Sequence, residues 1–107
     1  MQAEADPLSA TLSALADPTR RAILGQLAAG EQRVTDLARP HAISLNSVSK
    51  HIRMLERAGL VTRRIEGREH FLALDPAPLD EAAEWIDTQR RLWGWRLSKL
   101  EEVIKDG

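Results

Sequence analysis

One stretch constrains the fold more than any other. Val48, Ile52 and Leu55 stand at i, i+4 and i+7, with Ser44 in front and Gly59 behind. That is the apolar stripe of a helix over Leu45–Ala58, capped by a serine hydroxyl and stopped by a glycine onto which Leu60 can fold back. Two short extended segments follow without a linker, Val61–Glu66 and Glu69–Leu74, joined at Gly67-Arg68. Glycine first in a two-residue connection suits a tight hairpin. The fold must therefore pack a helix directly against the hairpin that it feeds.

The rest of the chain is punctuated to match. Leu8, Leu12 and Leu15 recur at helical spacing after Pro7. Asp17-Pro18 reads as a cap followed by proline at the first position of a second helix, which carries Ile23, Leu24 and Leu27 inward and stops near Gly30. Thr35 is expected to cap a short third helix, Asp36 to Arg39, ended by Pro40. Asp75, Pro76 and Pro78 break the last strand, and a long helix runs from about Leu79 to Lys105. The order is helix, helix, helix, turn, helix, hairpin, helix: a mainly α, five-helix winged helix-turn-helix within one domain spanning 1–107. The helix-turn-helix is expected at about 35–58, the wing at about 61–74 and the terminal helix at about 79–105.

Charge sharpens this reading. The net charge of −1 argues against a polyanion partner, but its distribution does not. Residues 19–70 hold ten Lys and Arg against five acids, a net of +5, while the segments before and after are each −3. Such asymmetry points to a localised polyanion-binding face. Asn46, Ser47, Ser49, Lys50 and Arg53 surround the early turns of the fourth helix with His51 beside them, and no acid occurs there before Glu56. Asn bonds an adenine edge bidentately, Ser serves a base or a phosphate, and Lys and Arg grip phosphates. A solvated face with capping serines is the plainer reading of the same residues, and His51 is equally a core-edge histidine. Arg63, Arg64, Arg68 and His70 decorate the hairpin, with Arg68 at its tip. Charge on a wing also serves to discourage edge pairing.

Other chemistries find no residues. Cysteine is absent, which excludes disulfides, thiolate metal sites and thiol nucleophiles. His41, His51 and His70 lack ligand spacing, and no nucleophile, metal cluster or phosphate-cradling glycine loop is present, so neither an enzyme nor a cofactor is expected. No apolar run reaches the roughly 18 residues of a membrane span, and no signal peptide is visible, which makes the cytoplasm the expected location.

In the terminal helix Leu79, Ala82, Ile86, Gln89, Trp93, Leu97, Leu100 and Ile104 alternate by three and four, with Trp85, Leu92 and Trp95 to one side. One small winged core is too short to cover so long an apolar flank. A second copy is the natural cover; an effector pocket between tryptophans is the sharper alternative.

Two stretches carry a family resemblance. Ala14-Leu15-Ala16-Asp17-Pro18-Thr19-Arg20-Arg21-Ala22-Ile23-Leu24 resembles the opening signature of the arsenic-repressor (ArsR/SmtB) family of transcriptional regulators. Ser47-Val48-Ser49-Lys50-His51-Ile52, followed by Leu55-Glu56-Arg57-Ala58-Gly59-Leu60-Val61, resembles its recognition-helix signature. The resemblance spans about residues 8–105. It implies a homodimeric repressor of its own or a neighbouring operon that binds an imperfect inverted repeat in double-stranded DNA. Asn46, Ser47, Ser49, Lys50, His51 and Arg53, with Arg64 and Arg68 of the wing, would contact DNA. Leu8, Leu12, Trp85, Ile86, Trp93, Leu97, Leu100 and Ile104 would form the dimer interface through the first and last helices.

Metal sensors of the family carry Glu-Leu-Cys-Val-Cys-Asp-Leu where this chain has Glu31-Gln32-Arg33-Val34-Thr35-Asp36-Leu37, and its last helix has no histidine. The chain thus resembles the non-metal branch, with no small-molecule effector assigned. The competing class is a winged helix used only to bind proteins.

Overall fold

The computed structural model describes residues 6–106. Five helices and three strands follow in the order α1 (Pro7–Leu15), α2 (Pro18–Leu27), β1 (Gln32–Arg33), α3 (Val34–Ala38), α4 (Leu45–Arg57), β2 (Val61–Glu66), β3 (Glu69–Leu74) and α5 (Ala77–Asp106).

Local chemistry explains the boundaries. The Asp17 carboxylate accepts from the Arg20 backbone N–H at 3.0 Å and starts α2, with Pro18 behind it where no N–H is needed. That hydrogen bond holds the Asp17 carboxyl below its ordinary range. The Arg20 and Arg21 side chains then fold back to satisfy the last carbonyls of α1. Arg20 donates to Ala14 O at 2.8 Å and to Ser13 O at 3.1 Å, and Arg21 donates to Leu15 O at 2.7 Å. At the far end of α4, Gly59 takes φ +75°, its N–H reaches Glu56 O and the Leu60 N–H reaches Leu55 O, both at 3.0 Å. This Schellman closure swings the chain into β2 and buries Leu60.

The core lies where α2, α3, α4 and the sheet meet. Ile23, Leu37, Val48, Ile52, Leu55, Leu60 and Leu72 are fully buried there, with Leu24, Leu27, Val61 and Ala14 of α1 completing the cluster. Gln26 ties down the connection between α3 and α4: its amide donates to Leu37 O at 3.2 Å, and its carbonyl oxygen meets His41 Nε2 at 2.8 Å.

Three details differ from the sequence expectation. The wing is a three-stranded sheet, because β1 pairs antiparallel with β3 in the order β1-β3-β2, matching Gln32 with Leu72 and Arg33 with Phe71. Two residues carry no alternation, so this strand is set by its ladder rather than by a pattern. Thr35 does not cap α3. Arg33, still extended from β1, occupies the cap position without a side-chain hydrogen bond, and Thr35 lies inside the helix. Finally α5 begins at Ala77, with Pro78 accommodated in its first turn.

The terminal helix stands apart. Its thirty residues measure about 45 Å, and the molecule extends 70 × 36 × 23 Å. Ala82 is buried at its start, where α1 packs against it. Trp85, Ile86, Leu92, Trp93, Trp95, Leu97, Leu100 and Ile104 are exposed. Among the described residues, no helix is long and apolar enough to cross a membrane.

Candidate nucleic-acid interface

The Ser44 hydroxyl accepts from the Ser47 N–H at 3.1 Å and donates to Ser47 Oγ at 3.0 Å, which fixes the first turn of α4. With Val48, Ile52 and Leu55 turned to the core, the 3.6-residue period brings Asn46, Lys50, Arg53 and Arg57 onto one outward ridge at i, i+4, i+7 and i+11. All four are exposed. Arg57 was missed in the sequence reading, although its spacing from Asn46 is the signal that finds it.

The flanks of the helix are occupied differently. On one side the His51 Nδ1 accepts from Arg20 Nη1 at 3.2 Å and lies 3.7 Å from the Asp17 carboxylate. Arg20 Nη1 also reaches Met54 Sδ at 3.3 Å. His51 therefore faces α2, to the side of the ridge, with its ring half-buried. On the other side Ser49 and Leu45 look across an open cleft of about 340 Å³ toward the sheet, lined also by Arg33, Val34, Thr35, Arg63, Arg68, Glu69 and His70.

The wing divides its charges between two faces, since alternate residues of a strand point opposite ways. Arg63 faces α4. Its Nε and Nη2 donate to the two Glu56 oxygens at 3.1 and 2.8 Å, and its Nη1 donates to His70 Nδ1 at 2.8 Å. The paired guanidinium holds the Glu56 carboxyl below its ordinary range. Arg64 lies on the opposite face, 4.5 Å above the Phe71 ring and paired with Glu31 at 2.7 Å and Glu66 at 2.5 Å. Those two acids hold the Arg64 proton more firmly, and Glu31 is in turn shifted downward by Arg64. At the hairpin tip Gly67 turns at φ +63° and presents Arg68 to solvent.

Pairing sorts the basic block. The acids Glu31, Asp36, Glu56, Glu66 and Glu69 are all matched, by Arg64, Arg39, Arg63, Arg64 and Arg33 respectively. Arg20 and Arg21 are spent on α1 carbonyls. Lys50, Arg53, Arg57 and Arg68 have no side-chain partner among the described residues and lie on the α4 ridge or the wing tip. Of the ten cations of the block, four therefore remain unpaired, three on the α4 ridge and one at the wing tip. Among the described residues no group of three or more His, Asp or Glu is placed to hold a metal.

Known proteins share this helix-turn-helix organisation. The family described as helix-turn-helix domain matches residues 15–64, from the end of α1 into β2. An HTH-type transcriptional regulator of Mycobacterium tuberculosis, Rv2034, is 38% identical over 91 residues, covering 85% of this chain and 82% of the relative. The transcriptional repressor SdpR of Bacillus subtilis is 32% identical over 73 residues, covering 68% and 81%. The crystal structure of the ArsR family transcriptional regulator RHA00566 superposes with a TM-score of 0.80 at 38% identity, covering 83% of this chain and 98% of that one. The chain belongs to the ArsR family of winged helix-turn-helix transcriptional regulators, DNA-binding proteins rather than enzymes.

Proposed function

We propose that this protein is a homodimeric repressor that binds an imperfect inverted repeat in double-stranded DNA and controls its own or a neighbouring operon in the cytoplasm. The observation that carries the reading is the sorting of charge: every acid of the basic block is paired, and the cations left over line the α4 ridge and the wing tip.

In this reading α4 enters the major groove. Asn46 and Ser47 reach base edges from its first turn, while Ser49, Lys50, Arg53 and Arg57 bond the flanking phosphates. Arg68 meets the adjacent minor groove or its backbone. The sugar-phosphate strand between the two grooves passes along the cleft between α4 and the wing. Arg64 stiffens the wing through Glu31, Glu66 and Phe71, and His51 orients α4 from behind. A second copy covers the stripe of Trp93, Leu97, Leu100 and Ile104, with Leu8, Leu12, Trp85 and Ile86 closing the α1 end. The exposure of that stripe supports the pairing: Trp93 is 60% and Leu97 56% exposed in a single chain.

Footprinting tests this directly. Protection is expected over two half-sites about one helical turn, or a multiple of it, apart. Affinity should fall steeply with salt as counterions are released. Binding indifferent to both sequence and salt would falsify the reading.

A further inference from the structure

The wing joins the core only at its base. Val61 and Leu72 are buried, but four residues further along β2 Ile65 is 61% exposed, and the open cleft separates the rest of the hairpin from the start of α4. No apolar side chain of β2 beyond Val61 clamps the distal hairpin to the helix. What spans the closed end of the cleft is Arg63. Its guanidinium sits between α4 and both strands, bidentate to Glu56 and bonded to His70 of β3. The ion pair is about three-quarters shielded, with Arg63 24% and Glu56 29% exposed. A forked guanidinium held at three points fixes an angle as well as a distance.

We infer that Glu56 and His70 are positioning residues that act through Arg63 to set the angle of the wing, and so decide whether Arg68 reaches DNA. The inference rests on the DNA-binding reading above. Arg63 itself makes no DNA contact in this scheme, although it is one of the cations of the basic block. Simple electrostatics expects the opposite sign: removing the Glu56 carboxylate makes the face more positive and should tighten binding. The positioning role expects weaker wing engagement instead.

A double-mutant cycle with the full chain separates the two. The probe is the duplex that wild-type protein enriches from a random library. Arg68→Ala is expected to weaken wild-type binding roughly tenfold and to lower the salt slope by about one. In a Glu56→Gln background, Arg68→Ala should cost less than about twofold, because the wing is already displaced. Hydroxyl-radical protection in the minor groove beside each half-site should fade, while major-groove protection stays. His70→Phe keeps Glu56 in place and gives a second route to the same loss of coupling, should Glu56→Gln fail to fold by circular dichroism. The inference is overturned if Arg68→Ala costs the same in either background as in wild type, or if Glu56→Gln binds more tightly with the wing footprint intact. If wild type enriches no sequence and binds no duplex, the DNA-binding reading fails and takes the inference with it; if wild type binds and the Arg68 cost is unchanged, only the inference fails.

Discussion

The winged core and the terminal helix solve the burial problem in opposite ways. From α1 to β3 the apolar side chains close on one another within a single chain, and Ile23, Leu37, Val48, Ile52, Leu55, Leu60 and Leu72 lose all contact with solvent. In α5 the pattern is as regular, yet among its large apolar residues Trp85, Ile86, Leu92, Trp93, Trp95, Leu97, Leu100, Val103 and Ile104 stay exposed. Both stretches read as amphipathic helices. They differ in where the complementary surface lies: inside the chain for α4, and in the proposed dimer on a second copy for the distal part of α5. Stability of the first is a property of one molecule; on the dimer proposal, that of the second depends on concentration through mass action.

The largest effect should come from breaking the closed half. Leu55→Ala removes a fully buried side chain in the last turn of α4 and is expected to cost about 2–5 kcal/mol, read as a lower urea midpoint. The cost should be independent of protein concentration once assembly is held fixed.

The open half should respond differently. Leu97→Glu puts a charge into the exposed stripe and is expected to weaken self-association by roughly 30-fold or more, read by sedimentation equilibrium. The cooperative urea transition of the winged core, followed by far-ultraviolet circular dichroism, should persist at low concentration. Loss of the whole fold in this variant would erase the distinction between the halves.

A smaller effect belongs to the outward ridge of α4. Asn46→Ala should reduce discrimination between cognate and altered half-sites by about 1–3 kcal/mol, while leaving binding to random duplex nearly unchanged. Lys50→Ala should weaken both to a similar degree and lower the salt slope by about one. Competition binding at two salt concentrations distinguishes these outcomes.

The smallest effect is a pH dependence confined to the winged half. Glu56 is held below the usual 4.5 by the hydrogen bonds from Arg63. A depressed carboxyl contributes stability that is present above its unfolded value and lost as pH falls through the folded one. The wild type should therefore lose about 1 kcal/mol or less of stability as pH drops below 4.5. Glu56→Gln should make that acid limb shallower in denaturant titrations, leaving the part that Asp17 and Glu31 contribute.

The sequence exposed most of the architecture because each boundary is written by a local rule. Asp17-Pro18, Ser44 and Gly59 act within one turn of themselves, and the hairpin is pinned by Gly67. What escaped was whatever depends on a distant partner. The strand β1 exists because Leu72 and Phe71 of β3 lie alongside it, and the extension of α3 to Val34 follows from that pairing. The site shows the same limit. Spacing alone puts Asn46, Lys50 and Arg53 on a shared face. It does not say that Arg64 is held by Glu31, 33 positions away, or that His51 is turned to Arg20 across 31. Arg57 belongs to the other kind of omission, since its spacing was legible throughout.

One measurement bears on both halves together. Selection of bound duplexes from a random library, using the full chain, is expected to return an imperfect inverted repeat with half-site centres about one helical turn, or a multiple of it, apart. The repeat requires α4 to read sequence and α5 to pair two copies. Enrichment of an isolated half-site would contradict the pairing, and no enrichment at all would contradict the reading of α4.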